Sequence, residues 1–396
     1  MDWPLVFFWR SSVGDVTPHS SGHPYAVPMR SPQIIVAPDS FKGTLSALAV
    51  AEAIGAGWSA VRPGDNVMLL PQADGGEGSL DAIERAVAGA VRRSAGLVTG
   101  PDGRPTPGEW IELPGGVAVV ELAQASGLPL MARLDALRAT TRGTGEVIRA
   151  ALESGATSLV IALGGSASTD AGTGALTALG LRLLNSDGQE LTGGGGALAN
   201  LSLVDSSGLL SPPSGGVTLL TDVTAPLLGA HGCAAVFGPQ KGASRDDVLT
   251  LDFALSLLHG LVGGNAGEPG AGAAGGTGYG FTALWGGRIV SGADHLATLT
   301  GLDVALESAD ALVTGEGRFD AQSLAGKVVG TLIERAKHHA VTPFIIAGQV
   351  TLKSDLWTAS LTELSGSTAA AMGETARWLR EAGAAAANEF SRRDGH

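Results

Sequence analysis

The sequence contains little cysteine, little lysine and few charged residues overall. A single cysteine, Cys233, excludes an intramolecular disulfide framework and a zinc site built from cysteines, and it is in keeping with a reducing cytosol. Charged residues make up 16 % of the 396 residues, against about 25 % in ordinary domains. The net charge of −13 argues against a nucleic-acid partner. No apolar run reaches the roughly 18 residues of a membrane span, so we expect no membrane partner and a cytoplasmic location.

Glycine, by contrast, is in excess, with 60 residues in the chain, roughly twice the ordinary usage. Together with 19 prolines it stays below the share that is typical of disorder, and the 44 % hydrophobic content predicts a packed core. The glycines should therefore lie in loops. The block at 193–196 predicts a flexible surface loop, whereas the stretch 263–280 predicts either a backbone cradle for an anion or a mobile linker.

Residues 1–30 differ from the rest of the chain, because they are rich in proline and show little periodicity. This composition predicts a poorly ordered N-terminal extension. Met29 precedes the first strong strand signal, and we hypothesise that it is the true start.

From residue 33 onward, short apolar runs end in glycine or acidic clusters and are usually followed by helical stretches. This alternation predicts βαβ units and a largely parallel sheet. After the first run, Ser46 is expected to be the N-cap of a helix. The six apolar runs are 34–37, 67–70, 159–163, 217–220, 311–313 and 344–347.

Carboxylates and lysines accompany these glycines. In parallel sheets ligands bind beyond the carboxyl ends of the strands, and three of the five lysines stand next to a glycine, namely Lys42, Lys241 and Lys327. Walker A, dinucleotide-binding, nucleophile-elbow and paired-histidine zinc motifs are absent from the sequence. The remaining inventory suits phosphoryl transfer, which needs positioning and charge neutralisation rather than a protein nucleophile. It would also serve an anion-binding protein.

Several ordered motifs give the chain a family resemblance. They are VAPDSFKGTLSA, ADGGEG, ELAQASGL, TTRGTGEVI, LGGSASTDAGTGALTALG, FGPQKGA, GAAGGTGYG and LVTGEGRFDAQSLAGK, between Ile35 and about Ala371. In these motifs the chain resembles the bacterial glycerate kinase family, typified by the glyoxylate- and glucarate-pathway enzymes.

The resemblance implies ATP-dependent phosphorylation of D-glycerate, with 2-phosphoglycerate favoured over 3-phosphoglycerate as the product and with ATP and Mg²⁺ as cofactors. It also implies an α/β fold with two domains. A discontinuous Rossmann-like domain with a parallel sheet would span 31–85 and 292–390, and an inserted α/β domain of different topology would span 86–291. The active site would lie in the cleft between them, in a monomer or homodimer.

The charged residues near the first two strands receive candidate roles. Lys42 is expected to anchor a phosphate or the glycerate carboxylate. Asp39, Asp74 and Asp222 compete for the role of general base, and Asp39 and Asp74 also suit a metal ion. Three of these residues have a structural alternative, which is an ion pair within the turn for Asp39 and Lys42 and a turn-forming role for Asp222.

Two further groups are candidates for phosphate or substrate binding. The first is a loop with Gly164, Gly165, Ser166 and Asp170, followed later by Lys241; the alternative is a helix entry capped by Ser or Asp. The second comprises Gly315, Glu316, Arg318 and Lys327, with Glu316 and Asp320 as candidate Mg²⁺ ligands. Its alternative is an internal network of salt bridges.

The sequence departs from the family in two places. The family commonly reads DVDNPL where this chain has Asp222, Val223, Thr224, Ala225, Pro226 and Leu227, and Thr169 and Ala171 replace an asparagine and a glycine. Two alternative functions therefore stay open: a kinase for another small hydroxy acid, or an inactive ligand-binding homologue.

Overall fold

The computed structural model describes residues 30–324 and 326–394. Residues 1–29, which form nearly all of the predicted extension and include Met29, lie outside the described residues.

Strands and helices alternate along the described chain. The strands are β1 (Gln33–Val36), β2 (Asn66–Leu69), β3 (Val91–Thr99), β4 (Pro105–Leu113), β5 (Val117–Glu121), β6 (Ser158–Ala162), β7 (Arg182–Leu184), β8 (Leu203–Asp205), β9 (Val217–Leu220), β10 (Arg288–Val290), β11 (Ala311–Phe319), β12 (Thr342–Val350) and β13 (Trp357–Ser360). The α-helices are α1 (Ala47–Val61), α2 (Ser79–Ala86), α3 (Leu122–Ser126), α4 (Arg142–Glu153), α5 (Thr173–Ala178), α6 (Cys233–Phe237), α7 (Arg245–Val262), α8 (Ala273–Trp285), α9 (Gly292–Leu299), α10 (Leu302–Leu306), α11 (Val328–His338), α12 (Leu361–Ser365), α13 (Thr368–Gly373) and α14 (Thr375–Asp394).

The first sheet has the order β13-β12-β11-β1-β2, and all of its strand pairs are parallel. Both faces are covered, because alternate residues of β1 belong to different cores. Ile34 and Val36 pack with residues of α1 and α14, whereas Ile35 and Ala37 pack with residues of α9, α10 and α11. This burial on both sides explains why residues 34–37 are all apolar.

The second sheet has the order β10-β9-β6-β5-β4-β3. The pairs from β10 to β5 are parallel, and β4 pairs antiparallel with both β5 and β3. Helices α2 and α9 connect the two sheets. Ala293 and Ala297 of α9 belong to the core of the first sheet, whereas Leu296 of α9 and Ile83 of α2 belong to a core of the second.

The α/β fold class with parallel sheets is confirmed, and each of the six apolar runs overlaps a strand. Ser46 is the N-cap of α1, since its hydroxyl accepts a hydrogen bond from Ala49 N at 3.3 Å. The antiparallel strands β3 and β4 were not predicted. The division into two domains stays a prediction.

The two glycine blocks are only partly the loops that were predicted, because Gly195 is buried and the stretch from Ala273 to Gly280 lies in α8. Gly195 is buried, and a Cβ placed on it would lie 2.0 Å from the carbonyl oxygen of Thr169. Gly275, near the start of α8, has φ +66°, and a Cβ there would lie 2.1 Å from the Ser168 carbonyl oxygen. These two glycines therefore allow two backbones to pack closely, so neither lies in a freely exposed loop or linker.

Within the two described ranges, no helix combines the length and the apolar character needed to cross a membrane.

Candidate functional site

The carboxyl ends of β1, β2 and β11 bring together Asp39, Lys42, Asp74 and Glu316, here called the strand-end cluster. These strands are neighbours in the first sheet. Asp39 N donates a hydrogen bond to the Gly315 carbonyl oxygen at 2.9 Å, which places Asp39 beside β11. Lys42 Nζ lies 3.5 Å from Asp74 Oδ2. The sequence named all four residues, and parallel strand order brings them to one edge.

The Asp39 carboxyl group has an unusual protonation equilibrium. Burial, followed by the negative charge of Asp74, raises the pKa of Asp39 to about 7, although Lys42 and a hydrogen bond from Ser40 N act to lower it. That bond, from Ser40 N to Asp39 Oδ1, is 2.6 Å long. A carboxyl group with a pKa near neutrality can accept a proton at neutral pH and return it readily.

The positive charges of two lysines act on the Glu316 carboxyl group. Burial raises the pKa of its carboxyl group, whereas a hydrogen bond with Ser323 and the charges of Lys327 and Lys42 lower it. Its Oε1 atom is buried and has no hydrogen-bond partner among the described residues. Buried oxygens are rarely left unpaired, so this atom marks a place where a ligand can bind.

The other charged residues of this segment flank the cluster. Arg318 is 61 % exposed, and its Nε lies 3.4 Å from Asp320 Oδ2. Asp320 Oδ1 accepts a hydrogen bond from Gln322 N at 2.9 Å. Lys327 is the exposed N-cap residue of α11. Gly315 is required by strand packing, because a Cβ there would lie 2.0 Å from the Ile346 carbonyl oxygen.

The described residues include no group of three or more His, Cys, Asp or Glu side chains placed to hold a metal ion by themselves. Mg²⁺ does not require three protein side chains, since it is usually held by one or two carboxylates together with phosphate and water oxygens. The unpartnered Oε1 of Glu316 fits that requirement. Asp320 fits it less well, because both of its oxygens are engaged with Arg318 and Gln322.

The loop that carries Asp74 also contacts the second sheet. Gly164 N donates a hydrogen bond to the Gly75 carbonyl oxygen at 2.9 Å. A Cβ on Gly164 would lie 2.5 Å from Gly76 Cα, and a Cβ on Gly75 would lie 2.8 Å from Leu220 Cβ. These glycines let the strand ends of the second sheet approach the Asp74 loop closely.

Asp222 lies at the end of β9, and its carboxylate caps α9. Its Oδ1 accepts hydrogen bonds from Ser291 Oγ at 2.8 Å and from Gly292 N at 3.0 Å, and its Oδ2 accepts one from Ala293 N at 3.1 Å. Burial raises the pKa of Asp222 against the effect of these bonds. A Cβ on Gly292 would lie 2.0 Å from the Asp74 carbonyl oxygen, so Asp222 fixes the helix start that supports the Asp74 loop.

The predicted phosphate-facing loop is largely buried. Ser166 Oγ accepts a hydrogen bond from Ser168 N at 3.2 Å within its own turn, and Gly165 has φ +79°. Asp170 is fully buried; its Oδ2 accepts hydrogen bonds from Thr141 N and Oγ1, both at 2.9 Å, and from Gly174 N at 3.2 Å. The contacts of Asp170 therefore join the start of α4 to the start of α5.

These contacts predict a structural effect of changing Asp170. Asparagine offers a single acceptor oxygen, so Asp170→Asn is expected to lower the free energy of unfolding by about 3 kcal/mol, as for other broken buried charge networks. Urea unfolding measures this loss, with Asp187→Asn in an exposed turn as the control. An unchanged unfolding midpoint together with weakened substrate binding would instead support a ligand-binding role.

Lys241 is also buried, being 3 % exposed, and its ammonium group donates a hydrogen bond to the Ser168 carbonyl oxygen. Burial lowers the pKa of Lys241 to about 8, against the charges of Cys233 and Asp170. The charged neighbours of Lys241 are therefore not those of the strand-end cluster. Its hydrogen bond to the Ser168 carbonyl oxygen supports the loop that contains Ser168.

A cavity of about 700 Å³ lies beside Lys42. Its lining includes Gly43, Thr44 and Ser46 before α1, Glu77 before α2, and Glu121 at the end of β5. The sequence analysis did not single out Glu121. The available signal was an acidic residue at the end of the apolar run 117–120, similar to the pattern that marked Asp222 and Glu316 shortly after their runs.

Comparisons with known proteins show the family to which the chain belongs. The model of the glycerate kinase family matches residues 34–391. The chain is 42 % identical to glycerate 2-kinase of Escherichia coli K12 over 81 % of this chain and 86 % of that protein. It is 41 % identical to glycerate kinase of Bacillus subtilis 168 over 82 % and 86 %. The crystal structure of a candidate glycerate kinase 2 from Salmonella typhimurium LT2 superimposes with a TM-score of 0.77 at 34 % identity, covering 92 % of this chain and all of that one.

Proposed function

Because this chain belongs to the glycerate kinase family of phosphotransferases, we propose that it transfers the γ-phosphoryl group of ATP to a hydroxyl group of D-glycerate. The 2-hydroxyl is favoured over the 3-hydroxyl, since the Escherichia coli relative is named for the 2-position. ATP as the donor suits a cytoplasmic location.

The strand-end cluster is the observation that carries the proposal. Phosphoryl transfer requires a group that orients or deprotonates the acceptor hydroxyl and cations that neutralise the transferred group. Asp39, with its pKa raised to about 7, meets the first requirement. Lys42, 72 % exposed and next to Asp74, meets the second.

In this mechanism Asp39 accepts the proton of the glycerate hydroxyl as the new P–O bond forms and the bond to the ADP oxygen breaks. Lys42 donates hydrogen bonds to the transferred phosphoryl group, and its ion pair with Asp74 orients the ammonium group towards it. Lys327 and Arg318 bind outlying phosphate oxygens or the substrate carboxylate. Glu316 would hold Mg²⁺ through its unpartnered oxygen, and the metal supplies charge neutralisation on the phosphates when bound.

The proposal puts the site in a cleft between two domains that correspond to the two sheets. The contacts of the Asp74 loop with Gly164 and Gly292 support this location, since they join the carboxyl edge of the first sheet to the second. The cavity beside Lys42 has the size of an ordinary ligand pocket, about 300–1,000 Å³. Closure of the cleft over substrate would exclude water from the reaction.

The direct test is ADP formation by the purified protein with ATP, Mg²⁺ and D-glycerate. L-glycerate and other small hydroxy acids serve as competing acceptors, and ³¹P nuclear magnetic resonance identifies the phosphorylated position of the product. Glycerate-dependent ADP formation supports the proposal. Faster turnover of another hydroxy acid would favour the alternative kinase, and ADP formation with none of these acceptors would favour an inactive binding protein.

A further inference from the structure

Glu121 joins the second sheet to the helix that follows the Asp74 loop. It is the last residue of β5, it is 6 % exposed, and its two oxygens serve different donors. Oε1 accepts a hydrogen bond from Gly78 N at 3.2 Å, and Oε2 accepts one from Leu80 N at 3.1 Å. Unpaired amides at the start of a helix are normally satisfied by a local cap. Here the cap is supplied by a residue 43 positions away.

The local sequence explains why a distant cap is needed. The N-cap position of α2 is Gly78, which has a left-handed conformation and no side chain that could accept a hydrogen bond. Ser79 donates its hydroxyl to the Gly76 carbonyl oxygen at 2.6 Å, which closes the turn behind Asp74. The segment from Asp74 to Leu80 is thus held near one end by Lys42 and at the other by Glu121.

We propose that Glu121 is a positioning residue for phosphoryl transfer: by holding the Gly78 and Leu80 amides, it fixes the Asp74 loop, and through Asp74 the Lys42 ammonium group, relative to the second sheet. This inference rests on the proposed function. It goes beyond that function because Glu121, a residue of the second sheet, would align the strand-end cluster, which lies on the first sheet.

Burial and neighbouring charges shift the pKa of the Glu121 carboxyl group. Burial raises the pKa of Glu121 to about 7, and the carboxylates of Asp81 and Glu77 add to this effect, whereas the two backbone hydrogen bonds lower it. Lys42, Arg85 and Arg92 line the same cavity. A glutamine at this position removes the charge and one of the two acceptors while keeping the volume.

The test compares Glu121→Gln with Glu112→Gln, a surface control on β4 that is paired with Arg93. Glu121→Gln is expected to lower kcat for glycerate phosphorylation by about tenfold or more, since a displacement of about 1 Å can cost up to about a hundredfold. KM for ATP and for glycerate should change by less than about threefold. Hydrogen exchange at the Gly78 and Leu80 amides should accelerate in Glu121→Gln and stay unchanged in Glu112→Gln.

A second comparison separates positioning from a merely structural role. In an Asp74→Asn background, the added change Glu121→Gln should lower kcat by less than about threefold, because its effect acts through the loop that carries Asp74. Losses that multiply in the double variant would overturn the proposal, as would a wild-type kcat in Glu121→Gln. If Glu121→Gln does not fold, Glu121→Asp, which keeps both oxygens but withdraws them by one methylene, is judged by the same criteria. An inactive wild-type protein would instead refute the proposed function.

Discussion

Replacing Asp39 by asparagine is expected to lower kcat for glycerate phosphorylation by about 10²–10⁴-fold, the usual contribution of a positioned general base. Asparagine keeps an oxygen that can accept the 2.6 Å hydrogen bond from Ser40 N, so the turn after β1 should be preserved. Steady-state kinetics at saturating ATP measures the change. A kcat within about twofold of the wild type would contradict the assignment of Asp39 as the base.

The pH dependence supplies a second readout for the same variant. Because Asp39 must be ionised to accept a proton and its pKa is raised to about 7, wild-type kcat should fall about tenfold for each pH unit below 7. The asparagine variant should lack this limb. The raised pKa also means that the stability contributed by neutral Asp39 is fully present below its ordinary value of 3.8 and is lost as the pH rises through 7. Asp39→Asn should therefore be no less stable than the wild type at pH 8, so unfolding cannot account for its lost activity.

Replacing Lys42 by methionine is expected to lower kcat/KM by about 10²–10³-fold, the cost of removing one donor that stabilises charge in a transition state. Methionine retains most of the side-chain volume but removes the ammonium group that lies 3.5 Å from Asp74 Oδ2. Lys337→Met is the matched control, because Lys337 is exposed on α11 and pairs with Glu334. Equal activities of the two variants would remove Lys42 from the mechanism.

Lys42→Met should also shift the pH profile. The charge of Lys42 lowers the pKa of Asp39, whereas Asp74 raises it. Without the lysine, its charge no longer opposes the negative charges of Asp74 and Glu316, so the acid limb of kcat is expected to move to higher pH. The Lys337→Met control should keep the wild-type limb. An unmoved limb in Lys42→Met would indicate that Asp39 is not the group that titrates.

Much of the strand-end cluster could be predicted from the sequence because its signals are local. Asp39, Asp74 and Glu316 each follow an apolar run, and in a parallel sheet such residues gather at one edge. The same local rule also selected Asp170, and the glycine next to it selected Lys241, but the structure buries both side chains. An acidic or basic residue beside a glycine has the same sequence appearance whether it faces a ligand or completes an internal hydrogen-bond network.

The sequence by itself determined the α/β class, six of the strands and the family, because strand-forming runs, turn residues and motifs are contiguous in the chain. Only the tertiary structure decided which carboxylates remain available. Asp170 accepts hydrogen bonds from Thr141, Asp222 accepts one from Ser291 and Glu121 accepts one from Gly78. These partners lie 29, 69 and 43 residues away in the chain. The close packing at Gly195 and Gly275 was decided in the same way, by backbone from a distant loop. The physical reason is common to all five: a buried polar group or a close backbone contact is defined by its partner, and chain folding, rather than neighbouring sequence, selects that partner.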